Sequence, residues 1–148
     1  KIGQIVRFAD LIHSVYQPHH LAKIDKAAEE AGKVQDILLE VNVSGEKSKS
    51  GLAPSDVAAA AQECFGFEHL RLCGLMTMAP QGDLAEAREC FAGLAQLKRE
   101  IELSLPSQDA AAFTELSMGM SEDWPQAVAE GATIVRIGRA LFSDDFSR

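Results

Sequence analysis

The sequence predicts an α/β protein built on a parallel sheet. Strand-like and helix-like segments alternate along the whole chain, and most of the strand-like runs are near-continuously apolar. No linker or low-complexity tract interrupts the series, so its 148 residues suit one domain, 1–148. Strands covered by helices on both faces read as unbroken Val/Leu/Ile runs, and alternation of this kind implies right-handed βαβ units.

Lys1 to Phe8 reads as the tail of a helix, and Leu11 to Val15 as a short strand. His19 to Ala31 sets Leu21, Ile24, Ala27, Ala28 and Ala31 near a helical period and stops at Gly32. Val34 to Ser44 is a long strand. Pro54-Ser-Asp opens an Ala-rich helix from Val57 to Phe65, followed by Gly66. Leu72 to Ala79 is a strand ended by Pro80. Asp83 to Leu103 carries Leu84, Ala87, Phe91, Leu94, Ala95, Leu97 and Ile101 on one helical face. Thr114 to Gly119 and Thr133 to Gly138 are the last strands. Between them Ser121 is the expected N-cap of a helix from Glu122 to Ala129, stopped at Gly131.

These five strands fit an open doubly wound sheet or part of a (β/α)8 barrel. A barrel requires eight, so three βα units, on the order of 80–100 residues, would be absent. Five strands alone would leave two raw sheet edges.

Composition narrows the function. Hydrophobic residues make up 47%, enough for a core, and the net charge is −8, a poor match to a phosphate backbone and hence to nucleic acid. No apolar run is long enough to span a membrane, and no signal-peptide pattern opens the chain. Cys64, Cys73 and Cys90 are odd in number and lack Cys-x-x-Cys spacing; they read as free thiols of a reducing, cytoplasmic setting. No His/Cys/Asp set has metal-ligand spacing.

The chemistry-bearing residues lie late in the chain. In parallel α/β folds ligands sit at the C-terminal ends of strands. Ser117, Gly119 and Ser121 fall there, ahead of a helix start whose unpaired N–H groups favour an anion. The next strand ends Arg136-Ile-Gly138-Arg139, where glycine allows close backbone approach and Arg136 supplies a permanent cation. The same residues also fit an ordinary turn and cap, and on pattern alone both readings stand. His13 faces a possible ligand but reads as a hydrogen-bonded structural histidine. His19 and His20 read as solvent-facing, and Lys47 and Lys49 as a solvated loop able to attract phosphate. Glu115, Glu122 and Asp123 read as strand-edge and first-turn acids, and Trp124 as packing.

"LSMGMSEDWPQAVAEGATIVRIGRALF", "GLMTMAP", "LLEVNVSGEKSKSGL" and "ADLIHSV" together closely resemble the pyridoxal-phosphate homeostasis protein family, the YggS/PROSC type. The resemblance covers nearly the whole chain. It implies a (β/α)8 barrel like the N-terminal domain of alanine racemase, with this chain supplying the C-terminal five βα units. The N-terminal three units are then absent, and with them the Schiff-base lysine; Lys1 resembles the end of the motif that follows the third strand. The cofactor implied is pyridoxal 5'-phosphate. Its phosphate falls to Ser117, Met120, Ser121, Gly138 and Arg139, its ring nitrogen to Arg136, and its ring to Met76. Asn42 and Ser44 line the same mouth. Ser143 departs from the family's glycine after Ala-Leu-Phe. The implied role is binding and handing on the cofactor, within vitamin B6 and amino-acid balance and without established turnover. Possible receivers are apo enzymes, and the complete protein is expected to be a monomer. The alternative is a fold-type III enzyme such as an amino-acid racemase; that chemistry needs a second acid/base, and the single tyrosine, Tyr16, precedes a helix.

Overall fold

A computed structural model describes residues 1–142. Its elements are α1 (Ile2–Phe8), β1 (Leu11–Val15), α2 (Pro18–Glu30), β2 (Gln35–Glu40), α3 (Val57–Cys64), β3 (Leu70–Met76), α4 (Leu84–Ser104), α5 (Ser107–Ala112), β4 (Glu115–Ser117) and α6 (Trp124–Ala129). The strands pair in parallel in the order β1-β2-β3-β4. A doubly wound sheet reverses its strand order at a switch point, whereas a barrel adds strands in sequence. The order observed is that of a barrel.

Curvature agrees. Neighbouring strands lie about 4.8 Å apart, so a flat sheet would separate β1 from β4 by roughly 14 Å. Nδ1 of His13 on β1 nevertheless lies 2.8 Å from Oγ of Ser117 on β4. Two short side chains meet over that span only if the sheet curls, with their shared face concave.

Helices cover the other face. Ile37, Leu39, Leu72, Leu75 and Leu116 share one core cluster with Leu21 and Ile24 of α2, Val57 and Ala61 of α3, and Phe91 and Leu94 of α4. Each fully buried Leu, Ile or Phe contributes about 1.5–3 kcal/mol relative to exposure. The concave face carries a smaller cluster of Leu38, Cys73 and Met76, with Leu11 packed against it. Asp83 caps α4 by accepting from the N–H groups of Ala85 and Glu86 at 2.8 and 3.0 Å.

Two glycines answer to close approach. A Cβ on Gly74, in β3 beside β4, would stand 1.9 Å from the carbonyl oxygen of Glu115. Gly119 has φ +95°, and a Cβ there would meet that of Ala127 at 2.7 Å.

Four sequence expectations change. Thr133 to Gly138 is not a strand; Ile134 makes one isolated parallel bridge to Ser117. The cause lies at Thr133, whose Oγ1 accepts the Leu116 N–H at 2.8 Å and so takes a donor from the ladder. Backbone bonds continue beyond it, from Met118 N–H to Ile134 O at 3.0 Å and from Arg136 N–H to Gly119 O at 2.9 Å. Second, β2 stops at Glu40, because Asn42 N–H turns to Leu52 O at 2.9 Å. Third, Ser121 does not cap a helix: α6 starts at Trp124, and Asp123 Oδ1 takes the Met120 N–H at 2.6 Å. Fourth, α5 follows Pro106, where the sequence suggested no helix. Ser143 lies outside the described residues.

Candidate functional site

One register row sets the site. Glu40, Met76 and Ser117 are direct neighbours across β2, β3 and β4, at the C-terminal ends of all three strands. Partners in a parallel ladder point to the same face, here the concave one. Met76 and Glu40 are each 3% exposed, and Ser117 is fully buried.

Arg136 reaches into this row from the segment bridged to β4 at Ile134. Its Nη1 donates to Ser117 Oγ at 2.6 Å and its Nη2 to Thr77 O at 3.0 Å. Thr77 is itself buried and donates its hydroxyl to Val41 O at 2.7 Å. Burial pulls the Arg136 guanidinium below its ordinary value, while the Asp123 and Glu40 carboxylates hold it up. An arginine keeps its proton under such opposed pressures, so the site contains a fixed cation. Burial first, then the Arg136 charge, lowers the imidazole of His13, which is therefore neutral at neutral pH.

The rim is made where 119–123 meets 136–142. Ser121 Oγ accepts from the N–H groups of Gly138 and Ala140 at 3.3 and 3.2 Å. The hydroxyl hydrogen of Ser121 then remains for another acceptor. Among the described residues the backbone N–H groups of Ser121 and Arg139 meet no acceptor. Among the described residues, its two chain neighbours aside, no atom would lie within 4 Å of a Cβ on Gly138, so they leave the space beside it open. The Arg139 guanidinium pairs with Glu122 at 2.9 Å. A groove of about 320 Å³ adjoins the rim, lined by Met78, Pro80, Asp83, Met120, Asp123 and Arg139 among others.

Of the residues singled out in the sequence, Ser117, Arg136 and Met76 meet on the concave face, while Ser121, Gly138 and Arg139 form the rim. Met120 stands at the rim with its N–H already given to Asp123. Asn42 turns away: Nδ2 donates to Glu46 O at 2.8 Å, and Oδ1 accepts from Ser44 Oγ and Gly45 N–H, both at 3.1 Å. Its amide organises the loop after β2, and Ser44 serves the same loop. Lys49 points its ammonium toward Glu46, 3.7 Å away. The sequence reading passed over Glu40 and Thr77. Glu40 had a signal, a carboxylate closing the apolar run "DILLE". Thr77 had none, since its part is played by a backbone carbonyl. No group of three His, Cys, Asp or Glu among the described residues could hold a metal ion. No helix among them is long and apolar enough to cross a membrane.

Parallel strands added in sequence, a concave face with a fixed arginine and a rim of free N–H donors define a barrel-type α/β domain suited to an anionic ligand. The chain belongs to the family described as alanine racemase, N-terminal domain, which it matches over residues 1–145. It is 40% identical over 138 residues to the pyridoxal phosphate homeostasis protein of Deinococcus radiodurans, covering 93% of this chain and 60% of that protein. The protein so named in Synechocystis sp. is 35% identical over 144 residues, covering 97% and 65%. PipY of Synechococcus elongatus, solved without and with pyridoxal phosphate, superimposes with a TM-score of 0.87 in both states, at 36% and 35% identity. Those matches cover 97% of this chain and 66% and 65% of PipY. The D-threonine aldolase of Filomicrobium marinum, 17% identical with a TM-score of 0.69, shares the fold. The chain spans 60–65% of the length of these curated relatives.

Proposed function

We propose that this chain, acting as a single domain, holds pyridoxal 5'-phosphate at the concave C-terminal end of its sheet. On this reading it serves cytoplasmic cofactor homeostasis as a carrier that hands the cofactor to apo enzymes. The observation that carries the reading is Arg136, anchored to Ser117 and Thr77 beside a rim of free donors. The donor set fits a phosphate monoester. The Ser121 hydroxyl and the N–H groups of Ser121 and Arg139 supply hydrogen bonds at one place, and Gly138, its own N–H held by Ser121 Oγ, leaves room for them to converge. The relatives named above support the same ligand.

When bound, the cofactor supplies an electron-withdrawing ring. Arg136 would face the ring nitrogen as a donor only, leaving that nitrogen unprotonated. Met76 would offer an apolar wall. Ser117 acts through Arg136, and Asn42 through the loop it organises. Racemization draws no support from the residues present: Tyr16 lines a different groove, with Pro18, Leu21 and Leu52.

The test is a titration of the 148-residue chain with pyridoxal phosphate, followed by tryptophan fluorescence of Trp124 and by absorbance. Inorganic phosphate and pyridoxal serve as competitors. Saturable binding that phosphate competes and that Arg136→Met weakens about tenfold or more is expected. Binding unaffected by both Arg136→Met and Ser121→Ala would place the ligand elsewhere. Faster exchange of an amino acid's α-proton with solvent deuterium than free cofactor gives would favour the enzyme.

A further inference from the structure

We propose that His13 is a positioning residue for Arg136, acting through Ser117 as a directional hydrogen-bond relay. The proposal rests on the reading that Arg136 faces the cofactor's ring nitrogen. It begins with the Ser117 hydroxyl, which is fully buried between two nitrogen groups. Its Oγ accepts from Arg136 Nη1 at 2.6 Å and lies 2.8 Å from His13 Nδ1. A guanidinium only donates, so Arg136 occupies a lone pair and leaves the hydroxyl hydrogen to be placed. Among the described residues His13 Nδ1 is the acceptor within reach. A proton on Nδ1 instead would aim two donors at one oxygen and strand a buried hydroxyl hydrogen. The ring proton therefore sits on Nε2, and the bonds run from Arg136 through Ser117 to His13.

The direction matters because a hydroxyl that donates becomes a better acceptor. His13 strengthens the anchor that Ser117 offers Arg136, and Thr77 O supplies the second anchor at 3.0 Å. Two anchors from neighbouring strand ends fix the plane of the guanidinium. Charged and titratable groups around the relay point the same way. His13 faces Arg136 across Ser117 and shares a groove beside β1 with His20 of α2. The Glu40 and Asp123 carboxylates act on the Arg136 end. Protonating His13 would set a second cation on Ser117 Oγ and reverse the relay, which burial and Arg136 both oppose.

Two measurements on the full chain test this. Nitrogen-15 NMR of the His13 ring without cofactor reads the tautomer directly. Unprotonated Nδ1 in the wild type is expected; an Nδ1–H tautomer overturns the relay, whatever the ligand proves to be. The second compares affinity for pyridoxal phosphate with that for its analogue carrying carbon in place of the ring nitrogen. His13→Ala should cut the wild-type preference at least threefold. His13→Asn, whose amide oxygen can stand where Nδ1 stood, should restore it. An undiminished preference in His13→Ala overturns the positioning role alone. No preference in a wild type that binds both ligands overturns that role together with the placement of Arg136.

Discussion

Ser50 donates its hydroxyl to Oε1 of Glu40 at 2.6 Å, tying the loop after β2 to a carboxylate that is 3% exposed. A buried charge needs partners, and this bond is a charge-assisted one. Ser50→Ala should therefore loosen the loop around Lys47 and Lys49 and cost about 1–3 kcal/mol. Limited trypsin digestion reads this directly. Faster cleavage after Lys47 and Lys49 is expected in Ser50→Ala; a digestion pattern identical to wild type would show that the bond does not hold the loop.

Gly74 admits no side chain. Its notional Cβ stands 1.9 Å from the Glu115 carbonyl oxygen, and its φ of +154° disfavours other residues. Relief would require β4 to move, and β4 carries Ser117. Gly74→Ala should destabilise by more than about 3 kcal/mol, seen as a fall in the urea midpoint. A midpoint within error of wild type would mean that β3 and β4 separate at little cost.

Ser121 closes the rim. Ser121→Ala removes the acceptor of the Gly138 N–H and the free hydroxyl together. Affinity for pyridoxal phosphate should fall about fivefold to tenfold, roughly 1 kcal/mol, with less change for unphosphorylated pyridoxal. Isothermal titration with both ligands decides it; an equal loss for the two would move the phosphate away from Ser121.

Cys64 provides a pH test of the core. Burial, helped by Glu63, pushes its thiol up from 9.0 to about 12. In the folded state the thiol keeps its proton where an unfolded thiol has lost it. The contribution to stability is thus complete below pH 9.0 and is lost as pH rises toward about 12. Between pH 8 and pH 10.5 the urea midpoint of the wild type should fall more steeply than that of Cys64→Ala. Parallel slopes would mean that the thiol ionises equally well in place.

The elements were largely legible in the chain because their signals are local. The spacing of Leu21, Ile24 and Ala28 marks α2, and that of Ala87, Phe91 and Leu94 marks α4; all six are buried. The apolar runs marked β2 and β3 because helices cover one face and the curled sheet closes over the other. The rim was legible as well, in Ser121, Gly138 and Arg139, since glycine and serine beyond a strand carry a conformational signature. The Thr133 to Gly138 run misled because a threonine that favours strands used its side chain on the neighbouring ladder.

Sequence by itself determined the parallel α/β class and singled out the strand-end serine and the cation, Ser117 and Arg136, that the fold brings together. Tertiary structure alone decided what surrounds that cation. The relay from Arg136 to His13 joins residues far apart in the chain, His13 and Ser117 standing 104 positions apart. No periodicity encodes such a pair. It exists because parallel strands added in order curl until the first can touch the fourth, and curvature belongs to the sheet and to no single strand.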